Sequence, residues 1–311
     1  MRGSKMLKRV LVVYYSQSGQ LENVLTTMLA PLMASDDVEL TMLPLVPSEN
    51  FAFPWSFWKF FDAFPESVYG DALPNVPFEL IRPDTFDLII IGYQPWFLSP
   101  SLPMSAFMKS KQAKTLLKNK PVITVIGCRN MWIEAQKTMM ELLRSCEARH
   151  IDNVVLSDQS GPLESFITTP RWMLTGKREP FFGLSAAGIS PAVIEKSVRF
   201  GTAILQGLQE DAQLKNEPML YNLGAACVDT RFIASEKIAK RSFVIWGKLI
   251  RAFGIRGSLV RRPILGFYIL FLITLIVTVV PLNMVLQSFF RRLFKDKIDK
   301  IAQNIEAPSG R

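Results

Sequence analysis

A chain of 311 residues, 49% hydrophobic and 20% charged, can bury one substantial core and carry attachments. Its formal charge of +9 sits at one end: residues 1–240 hold 24 basic and 24 acidic residues, residues 241–311 hold 12 and 3, and those basic residues bracket an apolar segment, which speaks against nucleic-acid binding. The three cysteines, Cys128, Cys146 and Cys227, form no C-x-x-C pair and His150 is the only histidine, so neither a disulfide framework nor a zinc site is supported, a histidine-rich metal site is excluded, and a reducing compartment is expected.

Lys5, Lys8 and Arg9 precede an apolar run, Val10 to Val13, that is too short for a signal-peptide core, so the N-terminal domain is expected in the cytoplasm. Arg9–Tyr15, Val38–Leu43, Phe86–Tyr93, Val122–Cys128 and Asn153–Leu156 read as strands: they are nearly continuous in Val, Ile and Leu, as strands buried on both faces should be. Helical stretches fall between them at about 20–34, 103–118, 131–149 and 190–209. This alternation predicts an α/β fold with a doubly wound, five-stranded parallel sheet over residues 1–210. Residues 44–85 carry seven prolines and the aromatic cluster Phe51, Phe53, Trp55, Phe57, Trp58, Phe60, Phe61 and Phe64, so no regular helix is expected to run through them; residues 160–189 follow the fifth strand as a second insertion. Both are expected to be elaborated loops beside a site.

Ser16, Gln17, Ser18, Gly19 and Gln20 follow the first strand and precede the first helix, the place where free N–H groups and a helix N-terminus meet a phosphate in an α/β sheet. After the third strand come Gly92, Tyr93, Gln94, Pro95, Trp96, Phe97 and Leu98, and after the fourth Gly127, Cys128, Arg129, Asn130, Met131 and Trp132. Proline-fixed backbone and aromatic side chains suit the holding of a flat ring. The second loop closely resembles the one that flavodoxins and related FMN reductases wrap around the isoalloxazine ring, and the third stands where flavodoxin-like proteins place their other ring-contacting loop. The resemblance covers about residues 7–210 and implies a flavodoxin-like fold and FMN as cofactor. Its phosphate would lie on residues 16–20 and its ring on Pro95, Trp96, Phe97, Leu98 and the 127–130 loop. Leu21 departs from the Thr or Ser usual at that position of the phosphate loop, and Glu22 and Asn23 are the neighbours able to compensate.

A narrower resemblance rests on Tyr15-Ser16-Gln17-Ser18-Gly19-Gln20, Phe53-Pro54-Trp55, Phe61 to Val68 and Gly127 to Trp132: these look like the bacterial dialkylresorcinol-condensing enzymes. The reaction implied is oxidation of an alkylated cyclohexane-1,3-dione to a resorcinol, since Claisen condensation would need a cysteine with histidine partners and the chain has one histidine. The alternative is a membrane-tethered electron carrier or quinone-directed reductase, which the neutral charge of residues 1–240 disfavours. Arg129 is either a surface cap or a charge at the flavin N1/C2 edge that favours hydride-type reduction. Tyr93 and Asp158, at strand ends, are the candidates for proton transfer. Cys128 reads as core filler, and His150 as the end of the helix before the fifth strand.

Residues 211–260 read as a linker with a basic amphipathic helix at 236–253, Phe243, Trp246, Leu249, Ile250 and Phe253 opposing Lys237, Lys240, Arg241, Lys248 and Arg251. Such a helix is expected to lie on anionic lipid. The 28 uncharged residues from Pro263 to Phe290 form a membrane segment (261–290), either one span or a re-entrant hairpin bent near Pro281, flanked by Arg261, Arg262, Arg291, Arg292 and a basic tail over 291–311. The expected protein is thus anchored at the cytoplasmic face of a membrane, works on a lipophilic small molecule, and on deletion of residues 255–311 keeps a folded, coloured domain with residual salt-sensitive attachment.

Overall fold

The computed structural model describes residues 7–80, 82–161, 164–293 and 295–310; Lys5 lies outside them, and so do the side chains of residues 279–294, Arg291 and Arg292 included. Five parallel strands, β1 (Lys8–Tyr14), β2 (Val38–Pro44), β3 (Leu88–Tyr93), β4 (Pro121–Cys128) and β5 (Arg149–Ser157), pair in the order 2-1-3-4-5. That is the flavodoxin-like doubly wound order, with the direction of winding reversing between β1 and β3. Because successive strand residues face opposite ways, Val10, Val12 and Ile90 enter one core layer, while Leu11, Val13, Ile89 and Ile91 enter the other.

The helices follow in chain order: α1 (Gln20–Met28), α2 (Ala30–Met33), α3 (Phe57–Asp62), α4 (Phe64–Tyr69), α5 (Leu102–Lys109), α6 (Lys111–Leu117), α7 (Ile133–Ser145), α8 (Ser165–Thr175), α9 (Pro191–Lys196), α10 (Val198–Gln209), α11 (Ala212–Lys215), α12 (Ile233–Ala252), α13 (Arg262–Leu293) and α14 (Lys295–Glu306). α1 and α10 cover the first layer, and α5, α6 and α7 the second. Gly92 of β3 allows α1 to cross closely, since a Cβ there would stand 2.6 Å from a Leu25 methyl.

Several elements depart from the sequence reading. The helix expected over 131–149 stops at Ser145, and His150 sits in β5 with its Nε2 2.9 Å from the Thr124 hydroxyl, so it caps no helix. The aromatic insertion folds into α3 and α4, because Pro65 falls in the first turn of α4, where its missing N–H costs nothing, and Gly70 closes that helix in the left-handed region. The second insertion contains α8.

The tail is built into the domain. Part of the apolar face of α12, expected on lipid, packs on α4 and α13: Phe243 meets Phe64 at 5.1 Å, Trp246 meets Tyr268 at 5.6 Å, Ile250 is buried, and Gly247 lets Tyr69 approach to 3.1 Å from where a Cβ would be, whereas Leu249 and Phe253 of the same face stay exposed. Arg261, expected at a membrane boundary, is fully buried between Asp62 and Glu66. α13 continues from Arg262 to Leu293 with no reversal at Pro281. Beyond α14 the Ser309 hydroxyl accepts from Asn153 N and donates to Asp152, while Ala225 O accepts from Val155 N, so the tail closes the open edge of β5.

Candidate functional site

At the carboxyl end of β1 the chain turns through Ser16 to Gly19, and Gly19 (φ 78°) caps α1 from the left-handed region. The N–H groups of Gln17, Ser18, Gly19 and Gln20 find no acceptor among the described residues, and a Cβ at Gly19 would meet nothing within 4 Å. The Ser16 hydroxyl accepts from Glu22 N, and Glu22 in turn accepts from the Tyr14 hydroxyl. This is a cradle of unused donors at a helix N-terminus, the chemistry that holds a phosphate.

The long side chains of the loop have other work. Gln17 donates to Phe51 O and Ala52 O and accepts from the Trp55 indole at 3.0 Å, which fastens the aromatic insertion to the loop. Gln20 exchanges two hydrogen bonds with the backbone of Ile189. Leu21 turns into the core against Gly127. It contributes packing in place of a hydroxyl.

After β3, Pro95–Trp96 and Ser99–Pro100 pair as a tight antiparallel hairpin whose central residues, Phe97 (φ 49°) and Leu98 (φ 60°), are both left-handed. For residues with a Cβ this costs on the order of 1–2 kcal/mol each. Phe97 recovers part of it by packing between Phe60 and Phe64, at 5.2 and 5.3 Å. Lys240 of α12 grips the turn as well, donating to Leu98 O at 2.9 Å and to the Ser99 hydroxyl at 2.6 Å. Trp96 is buried edge-on among Tyr15, Phe51 and Trp55, at 6.0, 5.1 and 5.3 Å.

The third loop joins β4 to α7. Cys128 is half-buried, and burial together with nearby Glu236 pushes its thiol up, which keeps it protonated and fits filler better than a nucleophile. The half-buried Arg129 lays its guanidinium on Phe166 at 4.2 Å; burial lowers its pKa to about 10 against the opposing charge of Asp158, so it stays cationic. Asn130 is half-buried beside it. Asp158 accepts from Ser160 N and Gly188 N, both at 2.7 Å, and so pins the second insertion. Tyr93 is fully buried, its hydroxyl donating to Gln136 at 2.7 Å. Loops 16–20, 95–100 and 127–130 and Asp158 therefore share the carboxyl end of the sheet, whereas the Tyr93 hydroxyl is committed to the interior.

Sequence reasoning missed Lys240 and Glu236. The Glu236 side chain is fully buried, its Oε1 accepting from Glu134 N at 2.7 Å at the start of α7, and its Oε2 finds no hydrogen-bond partner among the described residues. Burial raises its pKa to about 7. The available signal was an acid on an otherwise basic helix. A raised folded pKa means that the native state holds more protons than the unfolded chain between about pH 4.5 and 7, so this group lowers stability as pH rises through that window. Glu236→Gln keeps an acceptor and removes the charge; it should gain on the order of 2 kcal/mol over wild type at pH 8 relative to pH 4.5, measured by urea unfolding at the two values. Asp152 follows the same direction and His150, lowered to about 4 by burial, the opposite, so only the difference from wild type is diagnostic, and an equal difference at both pH values would refute the assignment.

No protein-family model and no curated protein sequence matches the chain. Among solved structures it is similar to a flavoprotein in complex with FMN from Lactobacillus acidophilus, at 20% identity, covering 48% of this chain and 93% of that one with a TM-score of 0.39. It is also similar to a flavodoxin from the domain Archaea (12% identity, 65% and 99% covered, TM-score 0.37) and to oxidised flavodoxin 1 from Bacillus cereus (12%, 64% and 98%, 0.37). What identifies the fold is the strand order described above; overlaps at these scores add nothing to it.

Proposed function

We propose that the chain is a membrane-attached FMN-dependent oxidoreductase that oxidises a lipophilic substrate, an alkylated cyclohexane-1,3-dione being the reading the resemblance favours. The observation that carries the cofactor is the cradle of unbonded N–H groups around Gly19, set at the reversal point of the sheet beside a strained aromatic hairpin. Bound FMN supplies an acceptor for hydride. A flat ring stacked on Trp96 requires residues 51–55 to move off it, since Phe51 and Trp55 flank that indole. Once moved, the same aromatic side chains offer an apolar cover that excludes water and buries alkyl chains, each methylene contributing roughly 0.8 kcal/mol. Arg129 adds a fixed positive charge beside the third loop. The diketone is acidic enough to enolise with little assistance, which suits a site where Tyr93 and Asp158 are both committed to structural bonds.

Membrane attachment draws support from composition and exposure together. From Lys237 to Lys295 there are 11 basic residues and no acidic one. Leu259–Thr278 is long and apolar enough to cross a bilayer, with a mean hydropathy of 1.9, and Ile255, Leu259, Val260, Phe267 and Leu270 are exposed. Both flanks of α13 return to one globular body, Arg261 to the aromatic insertion and Ser309 to β5. Engagement from a single side of the bilayer follows from that arrangement.

The test combines both halves. Full-length protein reconstituted with FMN should float with phosphatidylserine vesicles. On anaerobic mixing with an alkylated cyclohexane-1,3-dione, its flavin absorbance should bleach as one equivalent of resorcinol forms. Resorcinol without bleaching would overturn the hydride role; neither change would favour a quinone-directed reductase, and protein that stays in the aqueous layer would overturn the attachment.

A further inference from the structure

α12 enters the site at two points one turn apart. Lys240 Nζ holds the hairpin through Leu98 O and the Ser99 hydroxyl, and Glu236 Oε1 holds Glu134 N in the first turn of α7, directly after the 127–132 loop. The two grips fall on neighbouring connections at the sheet's carboxyl end, one on the loop after β3 and one where the loop after β4 enters α7, and those two strands pair with each other. Neither grip is exposed: Glu236 is fully buried and Lys240 half-buried, its ammonium bonded to a carbonyl and a hydroxyl, with no carboxylate in salt-bridge contact among the described residues but the charges of Glu134, Glu141 and Glu236 near enough to favour it. Its hydrogen bonds go to neutral oxygens and the carboxylates act from farther away, so the desolvation of the charge is returned only in part. What the arrangement secures is position. The hairpin carries two non-glycine residues in the left-handed region, a conformation that persists only where its surroundings over-determine it.

Resting on the FMN reading above, we propose that α12 is a clamp for the flavin site, with Lys240 and Glu236 as positioning residues that set the separation of the two ring-facing loops. The C-terminal segment is then a part of the redox centre as well as an attachment. Removing the Lys240 grip frees Phe97 and Leu98 to leave the left-handed turn, which widens the ring slot and lowers the charge beside it. Affinity and reduction potential should both respond, a pairing that general loss of packing does not produce.

The experiment uses full-length wild type, Lys240→Met, Lys240→Arg and Lys240→Gln, with Glu236→Ala for the second grip. In the flavin-free proteins, backbone amides of residues 96–99 and 101 should exchange at least tenfold faster in Lys240→Met and near the wild-type rate in Lys240→Arg, with β1, β3 and β4 unchanged. Glu236→Ala should show the same acceleration at residues 133–136. FMN titration should give at least tenfold weaker binding in Lys240→Met and a midpoint potential displaced from wild type, partly restored by arginine. Lys240→Gln, uncharged but still a donor, carries the test if methionine prevents folding. Wild-type exchange at residues 96–99 and 101 in Lys240→Met overturns the clamp. If wild type takes up no FMN while the exchange differences appear, the cofactor reading fails and the clamp on the hairpin stands.

Discussion

Replacing Arg261 by methionine should cost about 3–5 kcal/mol of unfolding free energy, the range for breaking a buried ion pair from one side. The guanidinium is fully buried; its Nε faces Asp62 Oδ1 at 2.7 Å, while Nη1 and Nη2 meet the two Glu66 carboxylate oxygens at 2.8 Å and reach Gly254 O and Asp62 O. Methionine matches much of the length but leaves two carboxylates facing each other at the joint between α3, α4 and the start of α13. Desolvation already holds Asp62 above the usual carboxylate range, so removal of the Arg261 cation that opposes this pushes it further. The variant Arg261→Met/Asp62→Leu/Glu66→Leu should recover most of the loss, because an apolar set of similar volume carries no charge to strand. Urea unfolding of the detergent-solubilised full-length chain distinguishes the cases. A single variant within 1 kcal/mol of wild type would show that water reaches the carboxylates and that α13 is not pinned there.

Gly19→Leu should weaken FMN binding at least a hundredfold while leaving the fold intact. Two independent effects add. A leucine held at φ 78° is strained by about 1–2 kcal/mol, and its side chain projects into the open space around the unbonded N–H groups where a phosphate would sit. Since nothing in the protein lies within 4 Å of that Cβ, no core contact is disturbed and the loss of stability should stay within the backbone strain. Gly19→Asn tolerates the left-handed region and is smaller, so it should lose less of both. FMN titration by flavin fluorescence alongside thermal melting separates binding from folding; unchanged flavin content in Gly19→Leu would refute the phosphate assignment.

The strands, their order of appearance and the three loops at their carboxyl ends were legible in the sequence, because a strand buried on both faces must be apolar nearly throughout and a strand-to-helix turn must carry small or left-handed-tolerant residues. Val10 to Val13, Leu88 to Ile91 and Val122 to Ile126 announce themselves within a few residues. So does the charge imbalance of the tail. What only the tertiary structure decided is which surface each amphipathic element meets. A helical wheel sorts Phe243, Trp246 and Ile250 onto one side of α12 but says nothing of whether lipid or Phe64 and Tyr268 lie opposite, since both accept apolar groups equally well. In the same way Arg261 reads as a membrane-flanking charge until Asp62 and Glu66, some 195 residues earlier in the chain, are brought beside it, and Lys240 reads as a lipid-facing base until the hairpin carbonyl at Leu98 arrives. Local periodicity specifies a face; a partner distant in sequence is specified only by the packing that encloses both.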